Sequence, residues 1–337
     1  MMKACKRWLG RALAVICIAV LVGAGWLFAY ALTDIELREV PLQFSLKQGS
    51  GLRSVARQMQ AAGALNSPWQ FEIFARLKGD SARIQAGSYE LTGPITPHAL
   101  LLKLTSGDQA QKKIVFVEGW TFRQLRMSLD AHPALRHDTR ELDERALLAR
   151  LAIDYPSAEG LFFPDTYYFV EGTSDLSVLK RAHAAMQTQL LSLWSARAAD
   201  LPLQNPYQAL TLASIVEKET GQAGERALIA AVFINRLRLG MRLQTDPTVI
   251  YGLGEAFDGN LRKTHLLTDG PYNTYMREGL PPTPIAMPGL AALAATLNPA
   301  SDNVLYFVSR GDGTSYFSRS LAEHERAVTK YQRRGQR

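Results

Sequence analysis

Twenty-one consecutive residues near the N-terminus, 12–32 (ALAVICIAVLVGAGWLFAYAL), carry no charge. At helical rise they extend ~31 Å, about the hydrocarbon thickness of a bilayer. A stretch this apolar divides the chain into a short segment on one side of a membrane and a long one on the other. Lys3, Lys6, Arg7 and Arg11 stand before it, and Asp34 and Glu36 after it. The positive-inside rule therefore leaves residues 1–11 in the cytoplasm and puts everything beyond residue 32 outside, with Trp26 and Tyr30 near the outer interface. A cleaved signal peptide is the competing reading, because Ala29-Tyr30-Ala31 has the small-x-small form of a cleavage site. The apolar core of such peptides runs to ~7–15 residues, shorter than this one, so an uncleaved anchor is expected.

The net charge of +7 belongs to the two ends. Four of the 38 basic residues precede residue 33 and four more (Lys330, Arg333, Arg334, Arg337) close the chain; the other 30 face all 31 acids, so residues 34–329 carry −1. A nucleic-acid-binding body would need a basic stripe of its own, and none is expected. Cys5 and Cys17 are the only cysteines, which excludes a disulfide framework and a cysteine metal site beyond the apolar run. The six histidines (98, 132, 137, 183, 265, 324) show no ligand-like spacing, so neither a metal nor a cofactor is expected. His183, between Leu179 and Met186, reads as a helix residue and not as a catalyst.

Past the anchor, the patterning predicts an α+β chain with two parts: a small α/β module over 40–110 and a larger, mainly helical domain over 112–335. In the first, alternation over 41–46 suggests a strand. Apolar Leu52, Val55, Met59 and Ala62 suggest a helix stopped at Gly63, and Pro68 opens a second helix stopped at Gly79. A strand over 87–91, a helix from Pro97 and a short strand over 114–117 come next. In the second part, helices are predicted over 141–151, 176–194, 208–219 and 225–239, with a hairpin around Gly311-Asp-Gly313. Residues 240–289 are rich in Gly, Pro, polar and aromatic residues and lack helical period. A loop of that length in a compact domain is more often a functional site than a connector.

The strongest chemical signal is Leu212-Ala-Ser-Ile-Val-Glu-Lys-Glu-Thr-Gly221, an apolar helix ending in two glutamates. Residues two apart on a helix differ by ~200°, so Glu217 and Glu219 cannot share a face. Glu219 continues the stripe of Leu212, Ile215 and Val216; Glu217 falls with Ala213 and Ser214. A carboxyl on an apolar stripe near a helix C-terminus is pushed toward its protonated form, suited to general-acid work. The plainer alternative makes both surface glutamates, with Glu217 beside Lys218 or Lys180. Residues 227–234 are apolar almost all round, predicting a buried helix. Asn235 comes next on that stripe and must be hydrogen-bonded, either stapling a loop or facing a cleft shared with Glu219.

Several stretches together carry a resemblance: Glu159-Gly-Leu-Phe-Phe-Pro-Asp-Thr-Tyr167, Ala213-Ser-Ile-Val-Glu-Lys-Glu-Thr220, Val232-Phe-Ile-Asn-Arg-Leu237, Met241-Arg-Leu-Gln-Thr-Asp-Pro-Thr-Val249, Pro271-Tyr-Asn-Thr-Tyr275 and Gly279-Leu-Pro-Pro282. In this order they resemble the YceG-like endolytic murein transglycosylases. Thr283-Pro-Ile and Met287-Pro depart slightly from the family pattern. The strand–helix–helix–strand order of the small module likewise resembles a LysM-like module, a fold associated with N-acetylglucosamine polymers; a plain α/β spacer is the alternative.

The resemblance implies a single-pass protein of the bacterial inner membrane, its catalytic domain in the periplasm, acting on peptidoglycan glycan strands and working beside cell-wall synthases. It places the catalytic acid at Glu219, in agreement with the face argument, and implies a lytic transglycosylase that cleaves between N-acetylmuramic acid and N-acetylglucosamine. The product would be a 1,6-anhydro end, terminating nascent strands. Asn235, Gln244, Asp246, Asn273 and Tyr275 are the candidates for orienting sugar hydroxyls and amides. Two rivals remain open: a non-catalytic glycan-binding scaffold of the synthesis machinery, and a hydrolase with Asp246 or Glu159 as second carboxylate.

Overall fold

The apolar N-terminal run forms one helix, α1 (Met2–Leu32), in which Leu13–Leu32 is long and apolar enough to cross a bilayer. The computed structural model describes residues 2–219 and 222–333, with side chains placed within 13–332. Thr220 and Gly221 of the glutamate run, and the basic side chains at both extremes other than Lys330, lie outside the described residues. The chain is a mixture of helix and strand, about half helical, and divides into two compact units: Met1–Lys112 with Phe169–Glu171, and Lys113–Tyr168 with Gly172–Arg337.

The first unit continues from α1 into β1 (Leu42–Leu46), α2 (Leu52–Ala62), α3 (Pro68–Leu77), β2 (Gly87–Leu91) and α4 (Pro97–Ser106). Strand β1 alternates buried and exposed, and its inward Phe44 pairs with Tyr89 of antiparallel β2. Helix α2 ends where Gly63 adopts φ 85°, a left-handed conformation that glycine takes without steric cost. Pro68 opens α3, and the Thr96 hydroxyl caps α4 by accepting from Ala99 N–H. Met59, Phe71, Tyr89, Leu100 and Leu104 are fully buried between these elements. Each such side chain is worth ~1.5–3 kcal/mol of hydrophobic stabilisation.

The rest of the chain forms β3 (Gln111–Val115), α5 (Phe122–Ala131), α6 (Glu144–Leu151), β4 (Thr166–Val170), α7 (Asp175–Ser195), α8 (Pro206–Glu219), α9 (Arg226–Arg238), α10 (Asp246–Leu253), α11 (Lys263–Leu267), α12 (Leu290–Leu297), β5 (Tyr306–Ser309), β6 (Ser315–Ser318) and α13 (Leu321–Val328). Strands β5 and β6 make a two-stranded antiparallel sheet. Helix α8 is the centre of the second unit. It packs against α7, α9, α10 and α12, and Ala209–Val216 are buried on every side. Helix α9 buries Ile229–Ile234 in the same way, as its all-apolar sequence predicts.

Residues 240–289 are more regular than expected, since they contain α10 and α11. Pro247 sits in the first turn of α10, which has only eight residues. Such a length is too short for a 3.6-residue period to stand out. Strand β4 and helices α5, α12 and α13 also went unpredicted. Gly160 explains how the loop is held: it sits at φ 76°, and a Cβ there would come within 2.6 Å of Pro284. Only glycine allows the 159–163 segment and the 283–286 segment to approach this closely.

Candidate active site

Because α8 is buried all round, its carboxylates emerge only where packing ends, at its C-terminus. Glu217 and Glu219 leave in different directions. Glu217 is half-buried and its Oε2 accepts from the Gly289 N–H at 3.0 Å, at the N-terminus of α12. Burial pushes its pKa up, and that bond to the amide opposes the shift. This backbone partner stands where the plainer alternative reading of the sequence put a lysine.

Glu219 faces a cleft of about 1010 Å³, at the upper end of ordinary ligand pockets. Its Oε2 accepts from Thr245 Oγ1 at 2.6 Å. Burial raises its pKa above the usual carboxylate range, and the charge of Asp246 acts in the same direction. The Thr245 hydrogen bond and the Arg236 guanidinium oppose the rise by favouring the carboxylate. A carboxyl balanced in this way can give up a proton and then exist as a stabilised anion.

Gln244, Thr245 and Asp246 line the cleft from the start of α10, and Tyr275 from the loop beyond. The Tyr275 hydroxyl donates to Asp246 Oδ1 at 2.6 Å. Gln244 adopts φ 49°, uncommon for a residue with a Cβ and frequent at functional sites. Its N–H donates to the Thr274 carbonyl, and the Thr245 N–H to Thr274 Oγ1, so the two loop segments hold each other. Tyr306, Phe307, Thr314 and His324 add an aromatic and polar lining from the β5–β6 hairpin and α13.

Asn235 and Asn273, expected at the sugar, are not among the cleft-lining residues. Asn235 Nδ2 donates to the carbonyls of Asp302 and Val304 at 2.8 and 3.0 Å, stapling the loop before β5. Asn273 Nδ2 donates to the carbonyls of His265, Leu266 and Thr268, while its Oδ1 accepts from Tyr275 N–H. An amide withdrawn from solvent must be satisfied, and carbonyls of the loop before β5 and of the last turn of α11 and the residue after it satisfy these two.

Sequence reasoning missed Arg236, which is 7% exposed and lines the cleft. Its Nε donates to Leu305 O at 2.8 Å, and its Nη1 to Leu243 O at 2.7 Å and Arg242 O at 3.3 Å. The guanidinium lies 5.1 Å from the centre of the Tyr306 ring, and Tyr306 in turn stacks on His324. The available signal was its position, immediately after Asn235 on a helix buried all round.

Glu159, a second carboxyl whose pKa burial raises, is 4% exposed and absent from the cleft lining. Its Oε1 accepts from Phe122 N–H at the start of α5, and its Oε2 from the Tyr251 hydroxyl of α10. Burial pushes its pKa from 4.5 up to about 7, against the pull of these bonds. A carboxyl raised in the folded state contributes stability that is complete below pH 4.5 and lost as pH rises through about 7. At 1.36 kcal/mol per unit the loss amounts to about 3 kcal/mol. Glu159→Gln should therefore flatten the fall in stability across that window, which urea unfolding of the detergent-solubilised protein on either side of it will read. An undiminished fall would place its origin in another group.

Asp130, His137 and Asp175 bring potential ligand atoms within 4.8 Å of one another, a grouping that histidine spacing did not reveal. Asp175 is already saturated, accepting from the N–H groups of Asp138, Thr139 and Leu176 and from the Thr139 hydroxyl. It acts as a structural tie at the head of α7.

The profile of the YceG-like family matches residues 44–330. The chain belongs to that family. It is 28% identical to the endolytic murein transglycosylase of Bacillus subtilis strain 168, over 92% of this chain and 91% of that protein. It is also 28% identical to the endolytic murein transglycosylase of Streptococcus pneumoniae serotype 2 strain D39, over 85% of this chain and 57% of that protein. The crystal structure of a yceG-like protein from Listeria monocytogenes superposes with a TM-score of 0.52 at 28% identity, covering 84% of this chain and 97% of that one. The YceG-like stretch thus takes in the first unit from residue 44 onward and every residue placed in the cleft up to Val328.

Proposed function

We propose that this protein is an endolytic murein transglycosylase, a lyase that cuts the bond between N-acetylmuramic acid and N-acetylglucosamine within peptidoglycan strands and so terminates them. The observation that carries the reading is Glu219, a carboxyl raised in pKa by burial and hydrogen-bonded to Thr245 in a large polar cleft. The names of the relatives from Bacillus and Streptococcus support the same activity.

In the proposed reaction the protonated Glu219 gives its proton to the glycosidic oxygen, and the bond to muramic C1 breaks. The resulting carboxylate then takes the proton from the C6 hydroxyl, whose oxygen bonds to C1 and closes a 1,6-anhydro ring. One group serves as acid and then base, and water is not consumed. Ordinary glycosidases need a second carboxylate. Glu159 is unsuited to that part because both of its oxygens are engaged outside the cleft. Gln244, Asp246 and Tyr275 would orient sugar hydroxyls and amides. Asn235 and Asn273 would act through the loops they hold, and Arg236 would stabilise the Glu219 carboxylate once the proton has left. In this reading α1 is a single-pass anchor, the first unit is a LysM-like module, and the second acts in the periplasm beside cell-wall synthases.

Mass spectrometry of digested wall polymer should find anhydro-muramic ends at new internal breaks. Reducing ends would instead mark a hydrolase using Asp246, and no breaks would mark a glycan-binding scaffold. Activity should fall as pH rises through the Glu219 pKa, because the acid must begin protonated. Thr245→Val removes a hydrogen bond that favours the anion while preserving shape, so the alkaline limb of the pH–rate profile should move to higher pH. An unmoved or lowered limb would exclude Glu219 as the titrating acid.

A further inference from the structure

The last turns of α1 belong to the core of the first unit. Ala31 is buried there, Leu27 and Tyr30 pack against the same cluster, and Trp26 stacks on Trp69 of α3 with ring centres 5.5 Å apart. This arrangement sets a depth. Arg11 is the last basic residue before the apolar run, and the stretch from 12 to 25, before contact with the unit begins, extends only ~21 Å, whereas a bilayer core is ~30 Å thick. The missing ~9 Å must come from the turns that carry Trp26 to Ala31. Whatever packs on those turns shares their depth.

Helix α3 is the element packed there, and its outward face is apolar. Trp69, Ile73 and Leu77, spaced four apart, are 56, 38 and 71% exposed, while Phe71, Phe74 and Ala75 fill the core on the other side. Leu77 also borders an apolar groove with Phe28 and Leu32 of α1, so the exposed stripe is continuous with the lipid-facing surface of the span. Arg76, which pairs with Glu72 at 3.4 Å, and Lys78 stand at its C-terminal end, the charge pattern that suits a headgroup boundary.

We propose that α3 is an interfacial helix, its Trp69–Ile73–Leu77 stripe inserted in the outer leaflet, so that the first unit is seated in the bilayer surface and not held above it on a free stalk. An interfacial helix of this kind buries its apolar face ~5–10 Å into the headgroup–acyl boundary, the depth the span requires. The inference rests on the reading of α1 as an uncleaved anchor.

The test uses the full-length protein in vesicles of phosphatidylethanolamine and phosphatidylglycerol, with Cys5→Ser and Cys17→Ala removing the native thiols. Single cysteines at Leu21→Cys, Leu77→Cys and Gln48→Cys, all at exposed positions, take an environment-sensitive fluorophore. The label at 77 should be quenched by a doxyl lipid about as strongly as the label at 21, and both should be shielded from iodide, which reaches the label at 48. Iodide access at 77 with lipid quenching at 21 would overturn the seating and leave the anchor intact. Protection at 77 from both quenchers would put a second copy of the chain on the stripe and overturn it equally. Iodide access at 21 would remove the anchor and the seating together.

Discussion

Glu219→Gln should abolish cleavage of wall polymer while the protein remains folded. Glutamine keeps the size of the side chain and can accept from Thr245 Oγ1, but it has no proton to give at working pH. General acid–base catalysis is typically worth ~10²–10⁴-fold, so the loss should be at least of that order. The fold should survive because the neutral side chain escapes the burial that raises the carboxyl's pKa. Circular dichroism run beside the product assay separates a dead enzyme from an unfolded one. Glu217→Gln is the matched control on the same helix. It weakens a carboxylate contact to the Gly289 amide at the start of α12, an interaction of ~0.3–1 kcal/mol, and should leave turnover close to wild type. Anhydro-ended fragments from the Glu219 variant at near wild-type rate, or a larger loss at Glu217, would move the acid to another residue.

What the sequence made legible depended on whether the deciding partner was local. The ends of α2 and α3 are written in Gly63 and Pro68, whose effects act within one turn, and the buried α9 is written in its all-apolar composition. Helix α10 was hidden by its length and its proline, and α12 by an apolar run too short to distinguish from a buried strand. The same limit governs the cleft. Glu219 stood out because a carboxyl ending an apolar helix is anomalous in one dimension. The ~200° between it and Glu217 correctly implies two directions, but burial all round α8 means that a single apolar stripe did not decide which of them faces the cleft. For Asn235 and Asn273 the need for hydrogen bonds was readable, whereas the partners, carbonyls in the 265–268 and 302–304 segments, exist only once the loops are folded. Arg236 escaped notice for a related reason. A basic residue in the last turn of a helix ordinarily complements the helix dipole, and its sequence neighbours give no hint of carbonyls waiting on two separate loops.

Those carbonyls make Arg236 the most demanding side chain around the cleft. Arg236→Met preserves the apolar stem but deletes the donors to Leu305, Leu243 and Arg242, and leaves the buried Leu243 oxygen and two part-buried ones without that partner. Hydrogen bonds to a charged group contribute ~1.5–3 kcal/mol each, so the methionine variant should lose at least that much stability. Arg236→Lys should fall between, since a single ammonium cannot reproduce a planar fork that spans two loops. The two variants also separate structure from electrostatics. The guanidinium lowers the Glu219 pKa, so its loss in the methionine variant should carry the alkaline limb of activity upward in pH, while lysine, still cationic, should restrain that shift. Urea unfolding of both proteins reads the first effect and pH–rate profiles the second. A methionine variant that unfolds at the wild-type midpoint would mean that the 242–243 and 305 segments hold together without Arg236. An unchanged limb in a folded methionine variant would mean that its charge does not reach the acid.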